Sequence, residues 1–141
     1  MPSQTIKTTS EEETIAFGRR IAPALSGCVL LIGNLGAGKT TLTKGIVEGL
    51  GAAVASDVTS PTFTLVHQYA ENVFHIDLYR LDEPREVETL GLDDLFASGA
   101  LVLLEWAERF PSLLPPVRTE IRIEAADDDT RTITLETPRP R

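Results

Sequence analysis

Two short uninterrupted apolar runs organise the chain. Cys28-Val-Leu-Leu-Ile32 and Leu101-Val-Leu-Leu104 have the pattern of strands buried on both faces. Glycines follow the first run at once, and the next segment predicts a helix over about Lys39–Leu50 with Gly51 as its C-terminal stop. The second run ends in Glu105. Upstream, Thr5–Thr9 reads as a short edge strand. Ser10 and Glu13 have capping-box spacing and open a half-apolar helix (Ile15, Phe17, Ile21, Ala22) that ends before Pro23. The β-prone runs Phe63–Tyr69 and Val73–Tyr79, parted by Ala70-Glu71-Asn72, predict an antiparallel hairpin. Pro84–Ser98 reads as one or two short helices interrupted at Gly91, and Pro111, Pro115 and Pro116 make the next stretch irregular. Thr119–Glu124 and Arg131–Glu136 form a closing hairpin around Asp127-Asp128-Asp129, with Pro138–Arg141 as a frayed tail. The sum is an α/β fold: a mixed sheet with a parallel centre and antiparallel edge hairpins, flanked by helices.

Size and composition narrow the class. The chain of 141 residues fits one domain spanning 1–141, and 42% hydrophobic with 24% charged residues is ordinary globular composition. A net charge of −8 opposes autonomous binding to DNA or RNA phosphates. The longest apolar run, Ala100–Leu104, is far short of the roughly 20 residues of a membrane span. The polar, acidic N-terminus lacks an apolar stretch of signal-peptide type. Cys28, the one cysteine, forms neither an internal disulfide nor a zinc site alone. These bounds predict a soluble cytoplasmic protein.

The segment Gly33-Asn34-Leu35-Gly36-Ala37-Gly38-Lys39-Thr40 satisfies G-x-x-x-x-G-K-[ST], between a buried strand and a helix. Glycines let the backbone aim successive N–H groups at phosphates, and the helix N-terminus adds its dipole. Lys39 supplies charge to the β- and γ-phosphates, Thr40 offers a hydroxyl to Mg²⁺, and Thr41 is the natural α-phosphate contact. Of three lysines (Lys7, Lys39, Lys44), one stands at the required place. The sequence thus predicts a nucleotide-binding fold of the P-loop NTPase type.

Such a loop needs an acid beyond a second buried strand, and Glu105 after Leu101–Leu104 fits. Asp77, in His75-Ile-Asp-Leu-Tyr79, is a second carboxylate that would orient attacking water or a metal-bound water; a hairpin surface acid would look the same. His75 and His67 are candidates for proton transfer, although strand histidines are more often structural. Ser60-Pro61-Thr62-Phe63 lies where a γ-phosphate-sensing switch would lie, which makes Thr62 a nucleotide contact; a proline-fixed turn is the plainer reading. Trp106 is either core packing or a partner-facing or mobile residue. The chain has no Asn/Thr-Lys-x-Asp element for guanine, which favours ATP, and Arg80, Arg85 and Arg109 are too scattered for a kinase lid.

Five segments in combination resemble the TsaE (YjeE) family of small ATPases in bacterial tRNA threonylcarbamoyladenosine biosynthesis. They are Gly33–Thr41, Ser60-Pro-Thr-Phe-Thr-Leu-Val66, His75-Ile-Asp-Leu-Tyr-Arg-Leu81, Leu90-Gly-Leu92 and Leu104-Glu-Trp106. The resemblance implies a weak Mg²⁺-dependent ATPase that works with the TsaD–TsaB pair and meets tRNA only through that complex, hydrolysis resetting it between turnovers. It places the Mg²⁺ contacts on Thr40 and Glu105 and the family's strand aspartate on Asp77. It makes Glu11 and Arg131 contacts of the adenine pocket. Asn34 departs from the Asp or Glu of many members, removing a negative charge beside the phosphates. A small-molecule kinase and a non-catalytic nucleotide-responsive module stay open as alternatives.

Overall fold

A computed structural model of the chain describes residues 3–34, 36–52, 66–126 and 128–137. In chain order the elements are β1 (Ser3–Thr8), α1 (Glu11–Ile21), β2 (Cys28–Ile32), α2 (Lys39–Gly49), β3 (Val66–Ala70) and β4 (Val73–Asp77). They continue with α3 (Pro84–Glu88), α4 (Leu92–Ala97), β5 (Leu101–Glu105), β6 (Thr119–Ala125) and β7 (Arg131–Glu136). Single 3₁₀ turns at Ala107–Arg109 and Pro111–Leu113 occupy the proline-rich stretch. The seven strands form one sheet in the order β1-β7-β6-β2-β5-β4-β3. β2 pairs in parallel with β5 and β6, and β5 with β4, while β7 pairs antiparallel with β1 and β6, and β3 with β4. The expected parallel centre with antiparallel margins is present. The second strand of the β3–β4 hairpin is an interior strand, so His75, Ile76 and Asp77 are all buried and Asp77 is not a hairpin surface acid.

β2, and β5 up to its last residue Glu105, are apolar because both faces of the sheet are covered there. On one face Val29, Leu31, Leu103, Ile121, Ile123 and Ile133 pack under α1 and α2, through Phe17, Leu42, Ile46 and Val47. The two helices approach to backbone contact: a Cβ on Gly45 would lie 2.1 Å from the Ile15 carbonyl oxygen. On the other face Cys28, Leu30, Ile76, Val102 and Leu104 pack against Val87 of α3, Leu92 of α4 and Phe110.

Local chemistry sets the element ends. Ser10 caps α1 by accepting from the Glu13 N–H at 3.2 Å. The Glu13 carboxylate reaches one residue past the expected capping-box partner, accepting from the N–H and the hydroxyl of Thr9 at 2.6 and 2.7 Å. Two donors from one residue replace the single donor of the standard box. α2 ends as expected at Gly51, whose N–H donates to Glu48 while that of Ala52 donates to Val47. β4 stops at Asp77, two residues short of the expected Tyr79. The Asp77 carboxylate accepts from the Tyr79 N–H at 2.8 Å, an Asx turn that bends the chain off the ladder. The expected start of β3 at Phe63 and the tail from Pro138 lie outside the described residues.

Because β2, β4 and β5 run the same way, their C-terminal ends share one edge of the sheet, the crevice where open α/β sheets bind ligands. The glycine loop after Ile32, the turn after Asp77 and the turn after Glu105 start there, as does the connection that follows β6, which is also parallel to β2. No helix among the described residues is long and apolar enough to cross a membrane.

Candidate nucleotide site

The glycine loop delivers α2 with its N-terminus uncapped. Its N-cap is Gly38, at φ 115°, a conformation closed to L-residues without strain, and no side chain among the described residues caps the first turn. The amides at that end remain available to an anion. Lys39, the first helical residue, is 5% exposed, and its ammonium has no hydrogen-bond acceptor among the described residues. It lies 3.7 Å from the centre of the Trp106 ring and 3.9 Å from Glu105 Oε1. Burial holds its pKa below the ordinary lysine value, opposed by the charges of Glu105, Glu108 and Asp77.

The carboxylates come from neighbouring strand ends. Asp77 and Glu105 are direct partners in the parallel β4–β5 register and are 6% and 3% exposed. Burial raises the Asp77 pKa, the Tyr79 N–H opposing the shift. Glu105 Oε2 accepts from His75 Nε2, and His75 is itself fully buried. Trp106, next in sequence, is the one non-glycine residue among those described with a left-handed backbone, φ 66°. That conformation carries strain of about 1–3 kcal/mol and sets the ring over Lys39, against Tyr79 at 5.0 Å between centroids.

A cavity of about 420 Å³ joins these groups and gathers most of the residues singled out from the sequence: Glu11, Gly36, Gly38, Lys39, Thr40, Thr41, Asp77, Glu105 and Arg131. Arg131 is tied to its own hairpin, Nη1 donating to the Asp128 and Thr130 carbonyls, and stands opposite Gly38. Asn34 and Ala37 line a separate cavity with Arg122 and Ile123 on the far side of the loop, so their side chains do not join the others. Leu35 and Thr62, with the rest of the Ser60–Phe63 segment, lie outside the described residues. His67 bonds Tyr69 through Nδ1 at 3.3 Å, on the edge strand β3 and away from the cavity lining. Arg109 is engaged through Nη2, which donates to the carbonyls of Leu78, Tyr79 and Leu81.

Ser10, expected only as a helix cap, also lines the cavity, as do Thr14 and Asp129, and the charge of Glu108 acts on Lys39; the motifs point to none of these as site residues. Ser10 and Thr14, one helical turn apart beside Glu11, carry the spacing that would have shown a shared face. Glu108 had no local signal, because only the 3₁₀ turn at Ala107–Arg109 carries it back.

The Thr40 hydroxyl and the Asp77 and Glu105 carboxylates are all oxygen donors, the chemistry a hard divalent cation takes. Among the described residues no group of three or more His, Cys, Asp or Glu is placed to hold a metal unaided.

The family model described as "Threonylcarbamoyl adenosine biosynthesis protein TsaE" matches residues 8–133. The chain belongs to the TsaE family. Within it, the TsaE of Bacillus subtilis (strain 168) is 44% identical over 134 residues, covering 92% of this chain and 82% of that protein. The TsaE of Haemophilus influenzae is 38% identical over 138 residues, covering 91% and 86%. Both bear the name tRNA threonylcarbamoyladenosine biosynthesis protein TsaE. The crystal structure of YdiB from Bacillus subtilis matches at a TM-score of 0.77 and 36% identity, covering 98% of this chain and 87% of that one. The fold is thus that of a P-loop NTPase-like mixed α/β protein, and the TsaE match spans the candidate site from Glu11 to Arg131.

Proposed function

We propose that this chain is a Mg²⁺-dependent ATPase of the cytoplasm. It acts with the TsaD–TsaB pair in tRNA threonylcarbamoyladenosine modification, its hydrolysis resetting that complex between turnovers. The observation that carries this is the Lys39 ammonium: buried in the cavity, without an acceptor among the described residues, at the start of α2 and near the Asp77, Glu105 and Glu108 charges. A buried ammonium lacking an acceptor is unfavourable until an anion arrives, and polyphosphate is the anion that a glycine loop accommodates.

In this reading Lys39 leaves the Trp106 face for the β- and γ-phosphates, the loop amides hold the same oxygens, and Glu11 and Arg131 border the base and ribose. Thr40, Asp77 and Glu105 would hold Mg²⁺, which neutralises phosphate charge when bound. Asp77 orients water for attack on the γ-phosphorus; the bond to the β-bridging oxygen breaks, and ADP and phosphate leave, the water proton departing with the products. A net charge of −8 opposes direct contact with tRNA phosphates, which supports meeting tRNA only through the TsaD–TsaB complex. Arg109, held by three carbonyls, is not free to serve as the lid arginine of a kinase.

The test is steady-state ATP hydrolysis, alone and with TsaD–TsaB, with Lys39→Ala as the blank. A low rate alone that rises with the pair supports the reading. An unchanged rate beside measurable ATP binding overturns the coupling, and normal hydrolysis by Lys39→Ala overturns the site.

A further inference from the structure

We infer that His75 is a positioning residue for Glu105: its Nε2–H fixes one carboxylate oxygen so that the other faces the P-loop lysine and would be free to hold Mg²⁺. This rests on the reading of the cavity as a Mg²⁺–ATP site. His75 precedes Asp77 by two residues on β4, so both side chains project from the same face of the sheet, the face toward which Glu105 of β5 also points. Glu105 Oε2 takes the imidazole and Oε1 faces Lys39, so the two oxygens have separate duties.

Burial decides between a reacting and a positioning role. His75 has no exposed surface and does not line the cavity, so it cannot reach a nucleotide. Tyr69 stacks on it, 6.4 Å between centroids at 28°, fixing the ring plane. Its Nδ1 has no partner among the described residues, which leaves Nε2 as the nitrogen that carries the donated proton. A packing residue here would be an aliphatic one, without a buried nitrogen to leave unpartnered. The imidazole also gives Glu105 a donor that stays when Lys39 moves to phosphate. Outer-shell partners of this kind typically change metal affinity or activity by about 10–100-fold when removed.

Two variants separate the donor from the bulk: His75→Gln keeps an N–H near the Nε2 position, and His75→Leu fills the space without one. The first readout is ADP affinity by calorimetry with Mg²⁺ and with EDTA, which does not depend on hydrolysis. The advantage that Mg²⁺ confers should fall about 10-fold in His75→Leu and be largely kept in His75→Gln, with EDTA affinities alike. ATP turnover should follow the same order, kcat falling with little change in KM. ¹⁵N NMR of the nucleotide-free wild type, with only two histidines to assign, should show His75 protonated at Nε2. An Nδ1–H tautomer, or equal Mg²⁺ advantage in His75→Leu and wild type, overturns the inference, as does equal impairment of the two variants. Absence of hydrolysis in wild type would overturn the proposed function instead, leaving the calorimetry and NMR to judge His75.

Discussion

The two faces of the sheet are covered in different ways. On one, α1 and α2, eleven residues each, meet backbone to backbone at Gly45. On the other, α3 and α4 have five and six residues and hold on through side chains such as Val87 and Leu92. The first arrangement is intolerant of any added atom, while the second tolerates small changes at the expense of packing area. The candidate site draws on both. Lys39 and Thr40 ride on the interlocked α2, whereas Asp77 and Glu105 are strand ends whose following turns run into the lightly built face. A rigid phosphate cradle is thereby set against carboxylates whose surroundings can be altered without dismantling the fold.

The sharpest way to break this contrast is a methyl group on each side. Gly45→Ala puts a carbon 2.1 Å from the Ile15 carbonyl oxygen, and we expect a loss of about 3 kcal/mol or more, read by denaturant unfolding. Gly91→Ala, between α3 and α4, has open space around its Cβ and only its φ of 72° to oppose it, about 1–2 kcal/mol. Equal losses would remove the distinction between the faces.

Asp77→Asn tests the site end of the comparison. ATP turnover should fall by about 100-fold or more if Asp77 orients the water. The empty protein should nevertheless melt higher at pH 7. The amide oxygen still accepts the Tyr79 N–H, and the burial that raises the Asp77 pKa makes its charged form unfavourable in the folded state. A lower melting temperature would mean that the carboxylate charge holds the fold together, with Lys39 as its partner.

The contrast also explains which parts were legible in the sequence. The glycine loop is contiguous, so eight residues announce strand, turn and helix together, and Leu101–Leu104 with Glu105 announces the second buried strand. Asp77 was visible as a candidate, but its burial was not, because β4 lies inside the sheet only through its pairing with β5, some 28 residues away in register. The pairing of His75 with Glu105 arises from that same register. Gly18 and Gly45 look like helix-weakening residues until α1 and α2 are seen in contact. The spacing of Ser10 and Glu13 marks the helix start, while the shift of the Glu13 carboxylate from Ser10 to Thr9 is a choice among donors that spacing alone does not decide.

Arg109→Ala acts on the light face. It removes one guanidinium nitrogen from three carbonyls of the turn after β4, so stability should fall by about 2 kcal/mol. Because that turn follows Asp77 directly, turnover should fall with it while ADP affinity, set by the P-loop, changes little. Arg109→Lys should recover part of the stability and less of the turnover, since one ammonium cannot match the planar guanidinium. Reduced ADP affinity would show that the two halves of the site are not separable.

The smallest effect belongs to Cys28, which lies beneath the light face at 4% exposure. Burial pushes its thiol up to about 12, with the Arg118 charge opposing and Glu120 adding. Below the ordinary value of 9.0 the thiol is protonated in both folded and unfolded chains, and stability is independent of it. Between there and about 12 the unfolded chain gives up its proton first, so stability falls as pH rises. Cys28→Ala should flatten that alkaline limb of the unfolding curve whatever it does to the neutral-pH value. At pH 8 a thiol reagent should leave the folded protein unlabelled, and Arg109→Ala should label faster, because the face over Cys28 then opens more often. Gly91→Ala should do the same to a smaller degree. Equal labelling of all three would mean that Cys28 is reached only by global unfolding, and that the lightly covered face opens no more readily than the interlocked one.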